Sequence, residues 1–311
     1  MSANVESMFY TREKPWHGLG TRVAEAPTSA EALRLAGLDW KVEQRDIFTG
    51  FNEAIPGYKA NVRDKDGAVL GIVSENRYKV VQNDEAFSFI DNLLGEGVRF
   101  ETAGSLYGGK KVWMLARLPQ RYIISNEEIN PFLVLTNNHD GSGAIKVCIT
   151  PIRVVCSNTL NLAVENAKRS FSIVHTGNIE KKVSEAHRTL FLAEEYMTKL
   201  GAEFERLRGI KLSDDKVMEL INTLIPCDEA NSEQQNRNVK RLRDDIAYRY
   251  FTAPDLKMLE KSAYRFVNAV SDFATHAAPL RMTKQYKESL FDRTIQGNPL
   301  IDKAHQLVLA A

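Results

Sequence analysis

The spacing of apolar residues changes period along the chain, and each period predicts different elements. Thr28-Ser29-Ala30-Glu31 reads as a capping box, with Thr28 as N-cap and Glu31 at N3. The short helix it opens reaches Gly37, a residue suited to the C′ position. Residues 40–48 then read as a strand. From residue 58 the period is two, and residues 58–63 and 68–74 flank Asp64-Lys65-Asp66-Gly67, a hairpin signal. Asn83 is placed to cap a helix that carries Phe87, Ile90 and Leu94 on one face and stops at Gly95. A second hairpin joins residues 98–106 and 111–118 across Tyr107-Gly108-Gly109-Lys110. A third joins residues 132–137 and 144–149 across His139-Asp140-Gly141-Ser142-Gly143. A helix over residues 158–167 and a strand over 170–175 close this part. Before all of it, Lys14-Pro15-Trp16-His17-Gly18-Leu19-Gly20 predicts an irregular packed turn.

Beyond Gly177 the period becomes helical. Val183, Ala186, Leu190, Ala193, Met197, Leu200, Phe204 and Leu207 alternate spacings of three and four, a heptad-like seam. Such a seam packs either along its own domain or against a second subunit. Ser213 caps a helix that stops at Pro226, Ser232 and Gln235 form a capping box, residues 256–274 are amphipathic, and Asn298-Pro299 opens a terminal helix. The fold class is therefore α+β: a mostly antiparallel sheet of hairpins with flanking helices over residues 1–177, N-terminal arm included, then an all-helical region over 178–311.

Composition narrows the function classes. The 311 residues carry a net charge of +1, with 43% hydrophobic and 26% charged residues, as expected of a folded globular protein. Three cysteines are too few, and odd in number, for a disulfide framework, which predicts a reducing compartment, the cytoplasm. The first residues lack the basic and apolar regions of a signal peptide, and no apolar run approaches the roughly 20 residues that span a bilayer, so no membrane association is expected. Charge is uneven along the chain. Residues 1–97 hold 11 Lys and Arg against 15 Asp and Glu, residues 98–177 hold 9 against 5, and the remainder 21 against 20.

That local basic block supplies the candidate site. Lys110, Lys111, Arg117 and Arg121 lie on or after one predicted hairpin, with Tyr107 and Trp113 among them. Lys146, Arg153, Lys168 and Arg169 lie on the next hairpin and helix. Cations interleaved with aromatics suit single-stranded nucleic acid, because charge follows the backbone and rings stack on bases. Alternation places Trp113 on one face with Lys111, Leu115 and Arg117, where it either meets a strand or covers a second apolar layer.

Catalytic chemistry is less well provided for. Cys156 stands near a predicted helix start, where its thiol would be a nucleophile with His139 or His175 as base, but Val154 and Val155 beside it favour a small core hydrophobe. No histidine pair has i, i+4 spacing and no cysteine pair has zinc-finger spacing. His139-Asp140 has ligand chemistry, yet in a Gly-containing turn it reads as hairpin chemistry first. The stretch 104–111 lacks the Gly-Lys-Ser/Thr ending of a phosphate loop. No catalytic residue, metal or cofactor is expected.

Taken together, Pro15–Gly20, Ala36-Gly37-Leu38-Asp39-Trp40, Arg77–Asn83, Ala103-Gly104-Ser105-Leu106, Asn138–Ser142 and Thr150–Thr159 resemble the phage/plasmid-like protein family built on a domain of unknown function. The resemblance covers nearly the whole chain and implies a protein of a mobile element. At the level of fold, a helix, antiparallel hairpins and a further helix are similar to the core of phage single-strand annealing proteins, which oligomerise and hold single-stranded DNA in a basic groove. The expectation is a DNA-binding protein of annealing type in recombination or replication, with single-stranded DNA and further copies of itself as partners. Two alternatives stay open: a hydrolytic enzyme centred on His139, Asp140, Arg153, Cys156 and Asn158, and a protein-binding anti-defence module using the helical region.

Overall fold

The computed structural model describes residues 8–10, 21–22, 28–124, 127–142, 145–153, 158–159, 170–172, 179–228, 230–283, 286, 289–290, 293 and 297–311. The expected turn at residues 14–20 lies outside these. The chain divides into two compact units. The first comprises residues 1–119, 132–149 and 170–191, and the second residues 120–131, 150–169 and 192–311.

The first unit holds two sheets. A three-stranded antiparallel sheet is built from β3 (Val42–Phe48), β4 (Ala54–Arg63) and β5 (Val69–Ser74), in that order. The β4–β5 hairpin is the expected one. The hairpin before it, closed across residues 49–53, carries no Asn-Gly or Asp-Gly signal and extends β4 backwards to Ala54. The larger sheet runs β10 (Lys146–Arg153), β9 (Glu127–Asn138), β7 (Lys111–Arg117), β6 (Arg99–Leu106), β1 (Met8–Tyr10) and β2 (Thr21–Arg22), with β12 (Ser170–Ser172) also on β10. Its β1–β2 pair is parallel, a long-range pairing too short to leave a periodic signal.

One face of β7 is wholly buried: Val112, Met114 and Ala116 are inaccessible. Two helical stretches belong to this unit's core. The first, α1 (Ser29–Leu35), starts at Thr28, whose side chain accepts from Glu31 N, and is followed by Gly37 at φ 66°. The second does not form one helix. α2 (Asn83–Phe87) passes through a 3-10 turn at Ser88–Ile90 into α3 (Asp91–Leu94). Gln82, not Asn83, is its N-cap. Asn83 instead is 2% exposed, its side chain turned into the core, where it has a different use.

In the second unit, β8 (Tyr122–Ile124) pairs with residues 127–129, and β11 (Asn158–Thr159) pairs with Ile152 and Arg153. Asn158 and Thr159 therefore form a strand where the helix was expected to begin, and the rest of that expectation, residues 160–167, lies outside the described residues. The helices are α4 (Ile179–Gly209), which belongs to this unit from Leu192 onward, α5 (Asp214–Leu224), α6 (Glu233–Phe251), α7 (Pro254–Lys257), α8 (Ala263–His276) and α9 (Pro299–Leu309). Ser213, Ser232 with Gln235, and Asn298 cap as the sequence predicts. The amphipathic stretch 256–274 is interrupted, and Ser262 caps a new helix, α8, in which every residue from Ala263 to Phe273 is buried. A helix buried on all sides is a core element.

The heptad-like seam resolves within this unit. Ala193, Met197, Leu200, Phe204 and Leu207 are at most 1% exposed, and the Phe204 ring meets Tyr264 of α8 edge-on at 5.2 Å. This stretch is intrachain core. Leu190 is half-buried, and the side chains of Val183 and Ala186 lie outside the described ones. Arg265, buried on α8, donates to the backbone oxygens of Tyr250, Lys257 and Leu259 and lies over the Tyr250 ring at 4.7 Å. Three carbonyl dipoles and one ring face replace the water its charge gives up.

Candidate functional site

Lys111 on β7 pairs with Asn138 at the end of β9, and His139 N donates to Lys110 O at 2.7 Å. The polar run Asn137-Asn138-His139-Asp140 thus leaves the sheet beside the basic hairpin. Two candidates that are separate in sequence form one neighbourhood.

His139 is inaccessible to solvent. Its Nε2 lies 2.8 Å from Asn83 Oδ1. Asn83 Nδ2 donates to Leu38 O at 3.0 Å, which fixes Oδ1 as the acceptor and so assigns the imidazole proton to Nε2. His139 Nδ1 then carries a lone pair, buried and without a hydrogen-bond donor among the described residues. The ring meets Trp40 edge-on at 5.3 Å. The backbone of the turn is held by amides and a phenol from elsewhere in the unit. Asn61 Nδ2 donates to His139 O at 2.7 Å, and Tyr78 Oη to Asn138 O at 2.8 Å. Asn137 Nδ2 donates to Val81 O at 2.9 Å. Buried polar groups persist when paired in this way, and such a network specifies one arrangement of the strands it joins.

Burial sets the protonation states. Removal from water pushes His139 down to about 4, with only partial opposition from Asp140, so the ring is neutral. Burial, and then the Asp140 charge, pushes Tyr78 up to about 12. Close by, Arg63 is 5% exposed, binds Asp66 at 2.6 Å and lies over Trp40 at 5.4 Å. That hydrogen bond holds Asp66 down to about 2. Gly109, at φ 90°, lies so close to Arg63 that a β-carbon there would sit 2.9 Å from Nη1. A histidine with its Nε2 proton committed to Asn83 and no solvent access acts as a strut that joins the turn to the start of α2.

The basic residues sort by position. Lys110 and Lys146 are exposed and Lys111 is half-buried. All three stand at the end of the sheet where the His139 turn lies. Arg117 pairs with Phe132 and Arg99 at the other end of β7, roughly 20 Å away at ~3.4 Å per residue. Trp113 is 3% exposed, so its ring is covered and presents no face to a base. Tyr107 is half-buried and sits at φ 55°, ahead of Gly108 at 70° and Gly109 at 90°. The backbone of Arg153 lies in β10, but its side chain, and all of Cys156, Lys168 and Arg169, lie outside what the structure describes.

Sequence reasoning names His139, Asp140 and the lysines but not Asn61, Tyr78, Asn83 and Asn137. The signal available was the polar run that ends β9, where a central strand has no reason to carry two asparagines and a histidine unless each is paired. Asn83 was masked by its suitability as a cap.

The family model described as Domain of unknown function (DUF932) matches residues 69–295. That span includes Tyr78, Asn83, the Tyr107–Lys111 hairpin and the His139 turn, and leaves Trp40, Asn61 and Arg63 outside. No curated protein and no solved structure matches the chain.

Proposed function

We propose a nucleic-acid-binding role for this chain, which belongs to the DUF932 family: it holds single-stranded DNA at the basic end of its larger sheet. Its setting is a phage, prophage or plasmid, and its task is strand annealing in recombination or replication. Lys110, Lys111 and Lys146 contact phosphates, and Tyr107 stacks on a base. The observation that carries this reading is Tyr107. A bulky side chain at positive φ costs about 1–2 kcal/mol, and such strain concentrates where a residue is held for function. Here the strained aromatic adjoins two lysines, the pairing of ring and charge that unstacked strands require.

The hydrolytic alternative finds less support. His139 is buried, neutral and bonded to Asn83, so among the described residues that centre has no solvent-accessible imidazole. The deciding measurement is binding of labelled single-stranded and duplex DNA across a salt series. Replacing Lys110 and Lys111 together by Ala should flatten the log-affinity against log-salt slope by about 1.4, at roughly 0.7 per phosphate contact on single strands. An intact chain that binds neither form of DNA would end the proposal.

A further inference from the structure

The β4–β5 turn meets the basic hairpin through one side chain. Arg63, the last residue of β4, donates from Nε and Nη2 to the two carboxylate oxygens of Asp66 at 2.8 and 2.6 Å, and its guanidinium lies over the Trp40 ring at 5.4 Å. The remaining nitrogen, Nη1, reaches the tip of the other hairpin, where a β-carbon on Gly109 would sit 2.9 Å from it and 3.4 Å from Leu70 Cδ2. A planar group held along one edge and over one face has little freedom left. The turn behind it is equally fixed. Lys41 N donates to Asp64 Oδ1 at 2.9 Å, Asp64 N to Lys41 O at 3.0 Å, and Gly67 N to Arg63 O at 2.9 Å. The Arg63 hydrogen bond, and with it the smaller pull of the Lys65 charge, holds Asp66 down to about 2. Gly109, Arg63, Asp66 and Lys65 therefore link one turn to the other without a gap.

Charge at this end of the unit is unevenly used. The three turns at residues 64–67, 107–110 and 139–145, with the strand ends that flank them, carry three carboxylates and five cations: Arg63, Lys65, Lys110, Lys111 and Lys146. Each carboxylate is committed to structure. Asp64 accepts from Lys41 N, Asp66 from Arg63 and from Ala68 N, and Asp140 from Ser142 N. Lys65, Lys110 and Lys146 are exposed, and among the described residues they make no ion pair. Exposed lysines elsewhere find carboxylates, as Lys41 does with Asp84, Lys240 with Asp244 and Lys261 with Asp214. Cations held together without counter-ions raise the local potential. An anionic polymer answers such a set by placing several phosphates on it at once.

We propose that the β4–β5 turn is a second wall of the strand-binding surface, with Lys65 as a phosphate contact beside Lys110 and Lys111, and Arg63 as the residue that positions the turn. This inference rests on the DNA-binding reading and extends it from the larger sheet to the three-stranded one. Arg63 itself touches no phosphate, being 5% exposed and committed to Asp66. Its part is to hold the Lys65 turn against Gly109, next to Lys110. Asp66 then has an effect opposite in sign to its charge. A carboxylate beside an anionic strand repels it, but this one pins the guanidinium that joins the two turns. Removing it frees Arg63, loosens the turn and withdraws Lys65 from the strand.

The test is binding of a labelled oligo-dT by the full chain across a salt series, with the denaturation midpoint of every variant recorded. Lys65→Ala should flatten the log-affinity against log-salt slope by about 0.7, the share of one phosphate contact on a single strand, with the midpoint unchanged. Lys240→Ala removes the same charge from α6 and should leave the slope as it is. Asp66→Asn keeps the shape of the side chain and removes a negative charge, so the field alone would tighten binding. The positioning role predicts the reverse: weaker binding, and a slope reduced by about the same 0.7. A slope unchanged by Lys65→Ala, while joint replacement of Lys110 and Lys111 flattens it, overturns this inference and leaves the DNA-binding reading standing. So does an Asp66→Asn chain that binds more tightly than the wild type, or a Lys240→Ala chain whose slope falls as far as that of Lys65→Ala. A wild-type chain that binds no single-stranded DNA ends both.

Discussion

Gly71 on β5 and Asp140 in the turn after β9 meet backbone to backbone: a β-carbon on Gly71 would lie 2.5 Å from Asp140 Cα and 2.8 Å from its carbonyl oxygen. This contact seats the three-stranded sheet on the His139 turn. The neighbouring pair, Asn61 opposite Gly71, supplies the hydrogen bond to His139 O. Gly71→Ala should therefore destabilise the first unit by about 1–3 kcal/mol, the usual cost of overpacking against a rigid neighbour. The denaturation midpoint reads this directly. An unchanged midpoint would mean that the two sheets separate easily and that the His139 network does not clamp them.

His139 makes stability depend on pH. Its folded pKa of about 4 lies below the unfolded value near 6.5, so between those two values the unfolded chain binds the extra proton. Its contribution is fully present above pH 6.5 and is lost as pH falls toward 4. The total is about 3 kcal/mol at 1.36 kcal/mol per unit. Denaturant titrations at pH 7 and pH 4.5 measure the loss, and His139→Gln should remove most of the slope in that window. A slope unchanged in the variant would assign the pH dependence to other groups.

Asn83→Ala leaves the His139 Nε2 proton without its acceptor and the Leu38 carbonyl without its donor. Stranding such groups costs about 1–3 kcal/mol each, so this exposed-looking helix-start change should act like a core mutation. A thermal shift no larger than that of a surface substitution would show that the network tolerates water.

Tyr107→Gly separates strain from function. Relief of the left-handed conformation should raise stability by up to about 1 kcal/mol, while loss of a stacking platform should weaken single-strand binding by about 1–3 kcal/mol. Opposite movements of midpoint and affinity are expected from paired measurements. Equal affinity in both proteins would remove Tyr107 from the binding surface.

Leu200→Glu tests the seam. Leu200 is inaccessible, one turn before Phe204, which contacts Tyr264. A carboxylate there has no partner, and the cost exceeds about 4 kcal/mol, the range reserved for buried charges and large cavities. Circular dichroism should show lost helicity. Smaller assemblies with native helicity would instead place the seam between copies of the chain.

The sequence by itself determined the local elements. Caps at Thr28, Ser213, Ser232 and Asn298, turn chemistry at 64–67 and 107–110, and the change of period after residue 177 act within a few residues of themselves, so they are legible without a fold. It also identified the lysines at the start of β7, because a charge excess is countable. What only the tertiary structure decided is which of those residues meet. Pairing Lys111 with Asn138 brought the basic hairpin to the His139 turn and sent Arg117 to the far end of the same strand. Alternation placed Trp113 on the right face but could not tell whether that face was covered. Asn83 looks like a cap from its neighbours and is a core ligand of His139, 56 residues away. Long-range contacts of this kind leave no local period, and their sign, whether paired and buried or free and wet, is set by which backbone groups the sheet order brings within reach.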